Sequence, residues 1–245
     1  ANKLQSKLTT FKTAALTPFY HDIIQHNSQA LINSRDRFFS GTITPVFIIG
    51  MPRSGSTLVE QMLISHDSFS SLGEDASISN EVVTYIEQQT QTPYPACLAK
   101  LDQGLINHAR NIYIERIKQA PQVRPFMINK LPANYQSLGL IYLLFPNAKF
   151  INMQRDYNAI AWSVFSNYFA ENEPYFCSLT EFKQYFDLYT ELMAHWQHIM
   201  PEAIFDLNYE QLVTEPKQTL QSLSEFLTIK YSDHFLDFYK SNKPV

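Results

Sequence analysis

An apolar run that ends in a glycine-bounded loop constrains this chain more than any other stretch. It reads Val46-Phe47-Ile48-Ile49-Gly50-Met51-Pro52-Arg53-Ser54-Gly55-Ser56-Thr57-Leu58. Val46 to Ile49 are continuous, apolar and rich in β-branched side chains, which suits a strand buried on both faces. Gly50 to Gly55 predict a tight turn, and Ser56 through Leu63 predict the start of a helix. A strand, a short loop and a helix point backbone N–H groups and the positive helix end at one spot, which favours an anion. Gly50, four residues, then Gly55-Ser56-Thr57 follows the phosphate-loop spelling G-x-x-x-x-G-K-[ST], with Ser56 where the lysine belongs. That lysine reaches the β- and γ-phosphates of a nucleoside triphosphate, so its replacement argues for a phosphate group but against ATP or GTP hydrolysis. The same residues would also suit a plain helix N-terminus. The preceding strand and following helix favour phosphate binding.

Length and composition fit one large α/β domain or two small ones. The 245 residues are 45% apolar and 14% aromatic, enough for a sizeable core. A net charge of −4 gives no electrostatic case for nucleic acid or an anionic membrane as partner. Cys97 and Cys177 are too few for a disulfide framework or a cysteine metal site and are expected to be reduced and buried. No apolar run reaches membrane-spanning length, and the opening Ala1-Asn2-Lys3-Leu4-Gln5 is not a signal peptide, so cytoplasm is the expected compartment. Only six glycines are present, and Gly50, Gly55 and Gly73 fall in or beside the candidate site.

Strands alternate with helices along the chain. Residues 1–43 read as a helical prefix, with Phe19, Ile23, Ile24, Leu31, Phe38 and Phe39 as apolar anchors and Pro18 near a helix start. Residues 44–245 read as the α/β domain. Expected strands follow at 69–72, 124–130, 148–153 and 203–207, with helices over 56–65, 76–89, 98–119, 133–145, 157–169, 178–200 and 214–227. Ser178 and Glu181 form a capping-box pattern. The alternation predicts a P-loop-like parallel sheet with helices on both faces.

Ligands of an open parallel sheet bind beyond the carboxyl ends of its strands. Arg53, Glu74, Lys130 and Arg155 each follow an expected strand, so distant positions converge on one edge. Arg155, with Ser163 eight residues on, is a candidate second phosphate site, since a guanidinium fork suits phosphate oxygens. A surface Arg155 paired with Asp156 is the plainer alternative. His195 and His198 have helical spacing for two metal ligands, but no third is evident nearby, and no metal is expected.

The loop, together with Arg155 through Ser163, Asn129-Lys130-Leu131-Pro132 and Tyr209-Glu210-Gln211-Leu212, resembles the sulfotransferases that use 3′-phosphoadenosine-5′-phosphosulfate (PAPS). The likeness covers residues 45–227 and is nearest the branch of tyrosylprotein sulfotransferases and bacterial enzymes linked to tetratricopeptide repeats. It implies that Arg53, Ser54, Gly55, Ser56 and Thr57 hold the 5′-phosphosulfate, Arg155 and Ser163 the 3′-phosphate, and that Tyr209 lies near the adenosine. It further implies Glu74 as catalytic base and Lys130 as the contact to the transferring sulfuryl group, with adenosine 3′,5′-bisphosphate (PAP) as product. By residue chemistry alone Glu74 suits a base, if burial raises its basicity, or a helix N-terminal acid equally well.

The acceptor would be a hydroxyl of a peptide tyrosine, a sugar or a small molecule. Tyr168, Phe169, Tyr175 and Phe176 suit either its pocket or the core. An upstream helical-repeat region is a further expectation of the resemblance. Three departures stand out. Leu131-Pro132 follows Lys130 directly, which disfavours the branch with a histidine base. Asn167 stands where the tyrosylprotein enzymes carry a further arginine, and Lys243-Pro244-Val245 ends the chain before the family's C-terminal closing loop. The alternatives are a nucleotide kinase or NTPase on the same loop, and a non-catalytic nucleotide-binding module.

Overall fold

A computed structural model describes residues 12–33, 41–166 and 178–240. Five strands form one fully parallel sheet: β1 (Thr44–Gly50), β2 (Phe69–Ser71), β3 (Phe126–Asn129), β4 (Lys149–Gln154) and β5 (Ile204–Asn208), in the order β2-β3-β1-β4-β5. β1 lies at the centre and is buried from Pro45 to Gly50, as its unbroken apolar run requires. Its alternate residues feed two cores. Phe47 and Ile49 face one, Val46 and Ile48 the other.

The smaller core lies under α3 (Ser56–Ile64), α9 (Tyr209–Thr214) and α10 (Pro216–Phe226), through Val59, Leu63, Leu212, Leu220 and Leu223. The larger core carries α1 (Thr17–His26), α2 (Gln29–Asn33), α4 (Val83–Thr90), α5 (Gln103–Lys118), α6 (Leu138–Leu144), α7 (Tyr157–Ser166) and α8 (Leu179–Ile199). Helices therefore cover both faces, which satisfies a sheet with no solvent-facing side.

The described part of the prefix is built into the larger core. Tyr20 is buried and hydrogen-bonded to Tyr135 at 2.6 Å, and Tyr135 donates to Tyr185 at 2.8 Å. Burial holds the Tyr20 and Tyr135 phenols well above their ordinary pKa. Pro18 sits in the first turn of α1, where its missing N–H is harmless.

Several boundaries differ from the sequence expectation. The helix expected over 98–119 is two pieces, a 3-10 turn (Ala96–Lys100) and α5. Asp102 separates them and accepts from the Leu105 N–H at 2.8 Å as an N-cap. The stretch 76–89 contains a π turn (Ile78–Val82) before α4, and 133–145 begins as a 3-10 turn (Pro132–Ser137). The Ser178 capping box forms by half. Ser178 accepts from the Glu181 N–H, but the Glu181 carboxylate turns to the Thr13 N–H at 2.6 Å and so fastens the prefix. Asn208 caps α9, a separate helix, and α10 opens at Pro216 without a side-chain cap at Glu215. His195 bonds the Asn27 carbonyl at 2.8 Å through Nε2 and serves packing between α8 and the prefix. Phe38, Phe39, Asn167, Tyr168, Phe169, Tyr175, Phe176, Cys177 and Lys243 to Val245 lie outside the described residues.

Candidate active site

The strand order decides which side chains meet. It sets Glu74 after β2, Lys130 after β3, Arg53 after β1 and Arg155 after β4 along one carboxyl edge, in that spatial sequence. Two clusters result, one on each side of the loop that follows β1.

The loop itself is shaped by backbone that ordinary residues avoid. Gly50 has φ +142°, and a Cβ there would stand 2.8 Å from the Met153 carbonyl of β4. Gly55 has φ +100°, and a Cβ there would stand 2.5 Å from Cδ2 of Tyr209. Arg53, although not glycine, holds φ +69°. Gly55 is the N-cap of α3 and supplies no side-chain cap; the Leu58 N–H turns back to the Gly55 carbonyl at 3.0 Å, which leaves the Ser56 and Thr57 N–H groups without an intrahelical or side-chain acceptor among the described residues. Ser54 is fully buried and its Oγ has no hydrogen-bond partner among the described residues. Ser56, in the position of the phosphate-loop lysine, is buried, and Thr57 is exposed.

The basic cluster lies on the β4 side. Arg155 donates from Nη1 to the Arg53 carbonyl at 2.8 Å, and its guanidinium lies 4.4 Å above the Tyr209 ring. Arg53 donates from Nε to Ser163 Oγ at 3.0 Å. The ring of Tyr209 therefore packs on Gly55 from one direction and carries Arg155 on its face. Arg155 Nε is buried without a partner among the described residues. Asp156 does not pair with Arg155. Its carboxylate accepts from the Ala159 N–H at 2.9 Å at the start of α7, and its own N–H donates to Glu210 at 3.2 Å.

The acid-base cluster lies on the β3 side. Lys130, 7% exposed, donates to Oε1 of Glu74, whose side chain is 62% exposed. Glu74 is not buried, and it makes an ion pair with Lys130. Asn129 fixes the frame of this pair. Its Nδ2 donates to the Asp75 carbonyl at 3.0 Å and its Oδ1 accepts from Leu131 N–H at 3.2 Å. The Lys130 N–H donates to Gly73 O at 2.9 Å, and Arg116 grips Asp75 from α5 at 2.5 Å. Turns after β2 and β3 are thus bonded to each other.

Sequence reading missed Glu60. It is fully buried on α3, accepts from Ser71 Oγ at 2.5 Å, and places Oε2 3.8 Å from Lys130 Nζ. A carboxylate one turn into an apolar helix face was the available signal. Burial pushes its carboxyl up, against the opposing pull of the Ser71 hydroxyl and the Lys130 ammonium.

A parallel sheet with a glycine-bounded loop leading into a helix at its carboxyl edge defines a P-loop-like α/β protein. Residues 45–233 match the profile described as the sulfotransferase family. The chain belongs to that family. It is similar to an uncharacterized protein of Aquifex aeolicus, 30% identical over 82% of this chain and 28% of the relative. It is also similar to the protein-tyrosine sulfotransferase of Drosophila melanogaster, 26% identical over 86% of this chain and 44% of the relative. The chain thus spans less than half the length of either relative. The fold matches the sulfotransferase domain of the Synechococcus PCC 7002 olefin synthase, with a TM-score of 0.56 and 21% identity over 85% of this chain and 82% of that one.

Proposed function

We propose that this chain is the catalytic domain of a sulfotransferase that moves a sulfuryl group from PAPS to a hydroxyl acceptor. The observation that carries this reading is the meeting, on one sheet edge, of a glycine-bounded loop with the Arg53–Arg155–Ser163 cluster on one side and the Lys130–Glu74 pair on the other.

The residues present fit the donor. Ser54 Oγ and Arg155 Nε are buried polar atoms without partners among the described residues, and the bare Gly55 lets the Tyr209 ring pack against the loop where a Cβ would stand 2.5 Å from it. Arg53, Ser54, Gly55, Ser56 and Thr57 would receive the 5′-phosphosulfate, Arg155 and Ser163 the 3′-phosphate, and Tyr209 would lie beside the adenosine. When bound, PAPS supplies the sulfuryl group and departs as PAP. Glu74 is the base: exposed at the acceptor side, it takes the proton as the hydroxyl oxygen forms its bond to sulfur and the sulfur–oxygen bond to the nucleotide breaks. Lys130 carries the charge that spreads over the sulfuryl oxygens, a task a buried ammonium performs well because little water screens it. The mechanism calls on no metal, since the departing nucleotide is a stable anion.

Similarity to protein-tyrosine sulfotransferases favours a peptide tyrosine as acceptor over a sugar or small molecule. Neither nucleic acid nor membrane enters the reading as a partner, and no helix among the described residues is long and apolar enough to cross a membrane. Cytoplasm remains the proposed compartment. Cys97 is buried with its thiol pushed up to about 11, a packing group and not a reactive one. An upstream helical-repeat region is proposed on the resemblance alone.

Calorimetry with PAP, 5′-AMP and ATP with Mg²⁺ tests the donor class. Tight binding that requires the 3′-phosphate is expected, and preference for ATP with Mg²⁺ would replace this reading with the kinase or NTPase one. With labelled PAPS and a tyrosine-containing peptide, Glu74→Gln and Lys130→Met are each expected to lower transfer at least about a hundredfold. Unchanged turnover in both would remove the mechanism and leave a nucleotide-binding module.

A further inference from the structure

Glu60 is a fully buried charged group that the mechanism above does not use. It occupies the second turn of α3, directly behind the loop, and is 0% exposed. Such a carboxylate is retained only where something compensates it. Its two oxygens face two different parts of the site. Oε1 accepts from Ser71 Oγ at 2.5 Å, and that same hydroxyl oxygen accepts from the Gly73 N–H at 2.9 Å. Ser71 ends β2 and Gly73, at φ +66°, turns the chain into Glu74, so this relay seats the turn that presents the base. Oε2 makes no hydrogen bond among the described residues and lies 3.8 Å from Lys130 Nζ.

Lys130 therefore stands between two carboxylates of opposite character. Glu74 is mostly exposed, and Glu60 is sealed. During the proposed reaction Glu74 takes up the acceptor's proton and loses its charge. Lys130, 7% exposed, would then keep Glu60 as its anionic partner among the described residues.

Resting on the sulfotransferase reading, we propose that Glu60 is a positioning residue: its buried carboxylate holds the Lys130 ammonium, and through Ser71 the turn carrying Glu74, in place while Glu74 exchanges its lysine contact for the acceptor's proton. The opposing effects of burial on one hand and of Ser71 and Lys130 on the other bear on the same pairing.

The test uses the whole chain and Glu60→Gln, which keeps the shape and the acceptor for Ser71 but removes the charge. Calorimetric affinity for PAP should stay within about twofold, because Glu60 touches neither proposed phosphate group. Transfer from labelled PAPS to a tyrosine-containing peptide should lose about tenfold or more in kcat with KM little changed, as for an interaction realised in the transition state. The second readout is thermal unfolding of Lys130→Met, made once in the wild type and once in the Glu60→Gln variant. In the wild type the midpoint should drop by about 5 °C or more, since a buried carboxylate is left uncompensated. In the Glu60→Gln variant, where that charge is already gone, it should drop by less than about half as much. Equal drops in the two backgrounds, or an unchanged kcat in Glu60→Gln, would overturn the proposal. If Glu60→Gln does not fold, Ser71→Ala removes only the hydroxyl that seats Oε1, and a kcat unchanged there would overturn it equally. Failure of the wild type to bind PAP would instead refute the sulfotransferase reading, and the unfolding comparison would still decide whether Glu60 and Lys130 are coupled.

Discussion

Replacing Gly55 by alanine perturbs the loop at a single methyl group. Two contributions can be worked from the geometry. At φ +100° an L-residue sits in backbone it rarely adopts, a penalty of about 1–3 kcal/mol. The added Cβ would also lie 2.5 Å from Cδ2 and 2.9 Å from Cε2 of Tyr209, so the ring must swing away. In doing so it gives up the Arg155 guanidinium at 4.4 Å, an interaction worth about 0.5–1 kcal/mol at a partly exposed site. The sum is about 1.5–4 kcal/mol, divided between folding stability and PAP affinity. Taken wholly in affinity it is roughly a 10- to 1000-fold loss.

The assay is denaturant unfolding and PAP calorimetry on Gly55→Ala, Tyr209→Ala and the double variant. With the ring removed, only the backbone part of the Gly55→Ala penalty should remain, so the two substitutions are non-additive. An equal Gly55→Ala penalty in both backgrounds would refute the proposed packing of Tyr209 on the loop. A total below about 0.5 kcal/mol would refute the need for positive φ at this position.

Two further outcomes follow from the same geometry. Arg155→Ala should weaken PAP by about 1.5–3 kcal/mol while leaving 5′-AMP nearly unaffected, because it removes the proposed charge-assisted contacts to the 3′-phosphate; equal losses for both nucleotides would show that Arg155 acts by shaping the loop through the Arg53 carbonyl. Glu181, held below the usual carboxylate range chiefly by the Thr13 N–H, contributes stability that is fully present above its unfolded pKa and is lost as pH falls through its folded one. Glu181→Gln should therefore cost about 1 kcal/mol near neutrality and almost nothing in acid, measured by unfolding at both pH values.

The site was partly legible because much of it is local. The loop after β1 is spelled in consecutive residues, and Glu74, Lys130 and Arg155 each follow a strand expected from the sequence. Pairings were not legible. Arg155 had Asp156 beside it in the chain, yet it bonds the Arg53 carbonyl, 102 positions away, and lies over Tyr209. Glu181 carries a capping-box spacing, yet its carboxylate goes to Thr13. In both, a partner from another element offers a better-placed donor or acceptor than the local one.

Glu60 marks the division most clearly. By itself the amino-acid sequence determined a strand buried on both faces, a glycine-shaped loop after it and the alternation that yields a doubly covered parallel sheet. Those properties come from short-range sterics, glycine's access to positive φ, and hydrophobic periodicity. Only the tertiary structure decided that β3 pairs beside β1 and next to β2, which sets a sealed carboxylate from α3 against Ser71 and Lys130. Whether a charge is buried, and by whom it is answered, depends on which distant strands become neighbours, and no local pattern in the chain encodes that.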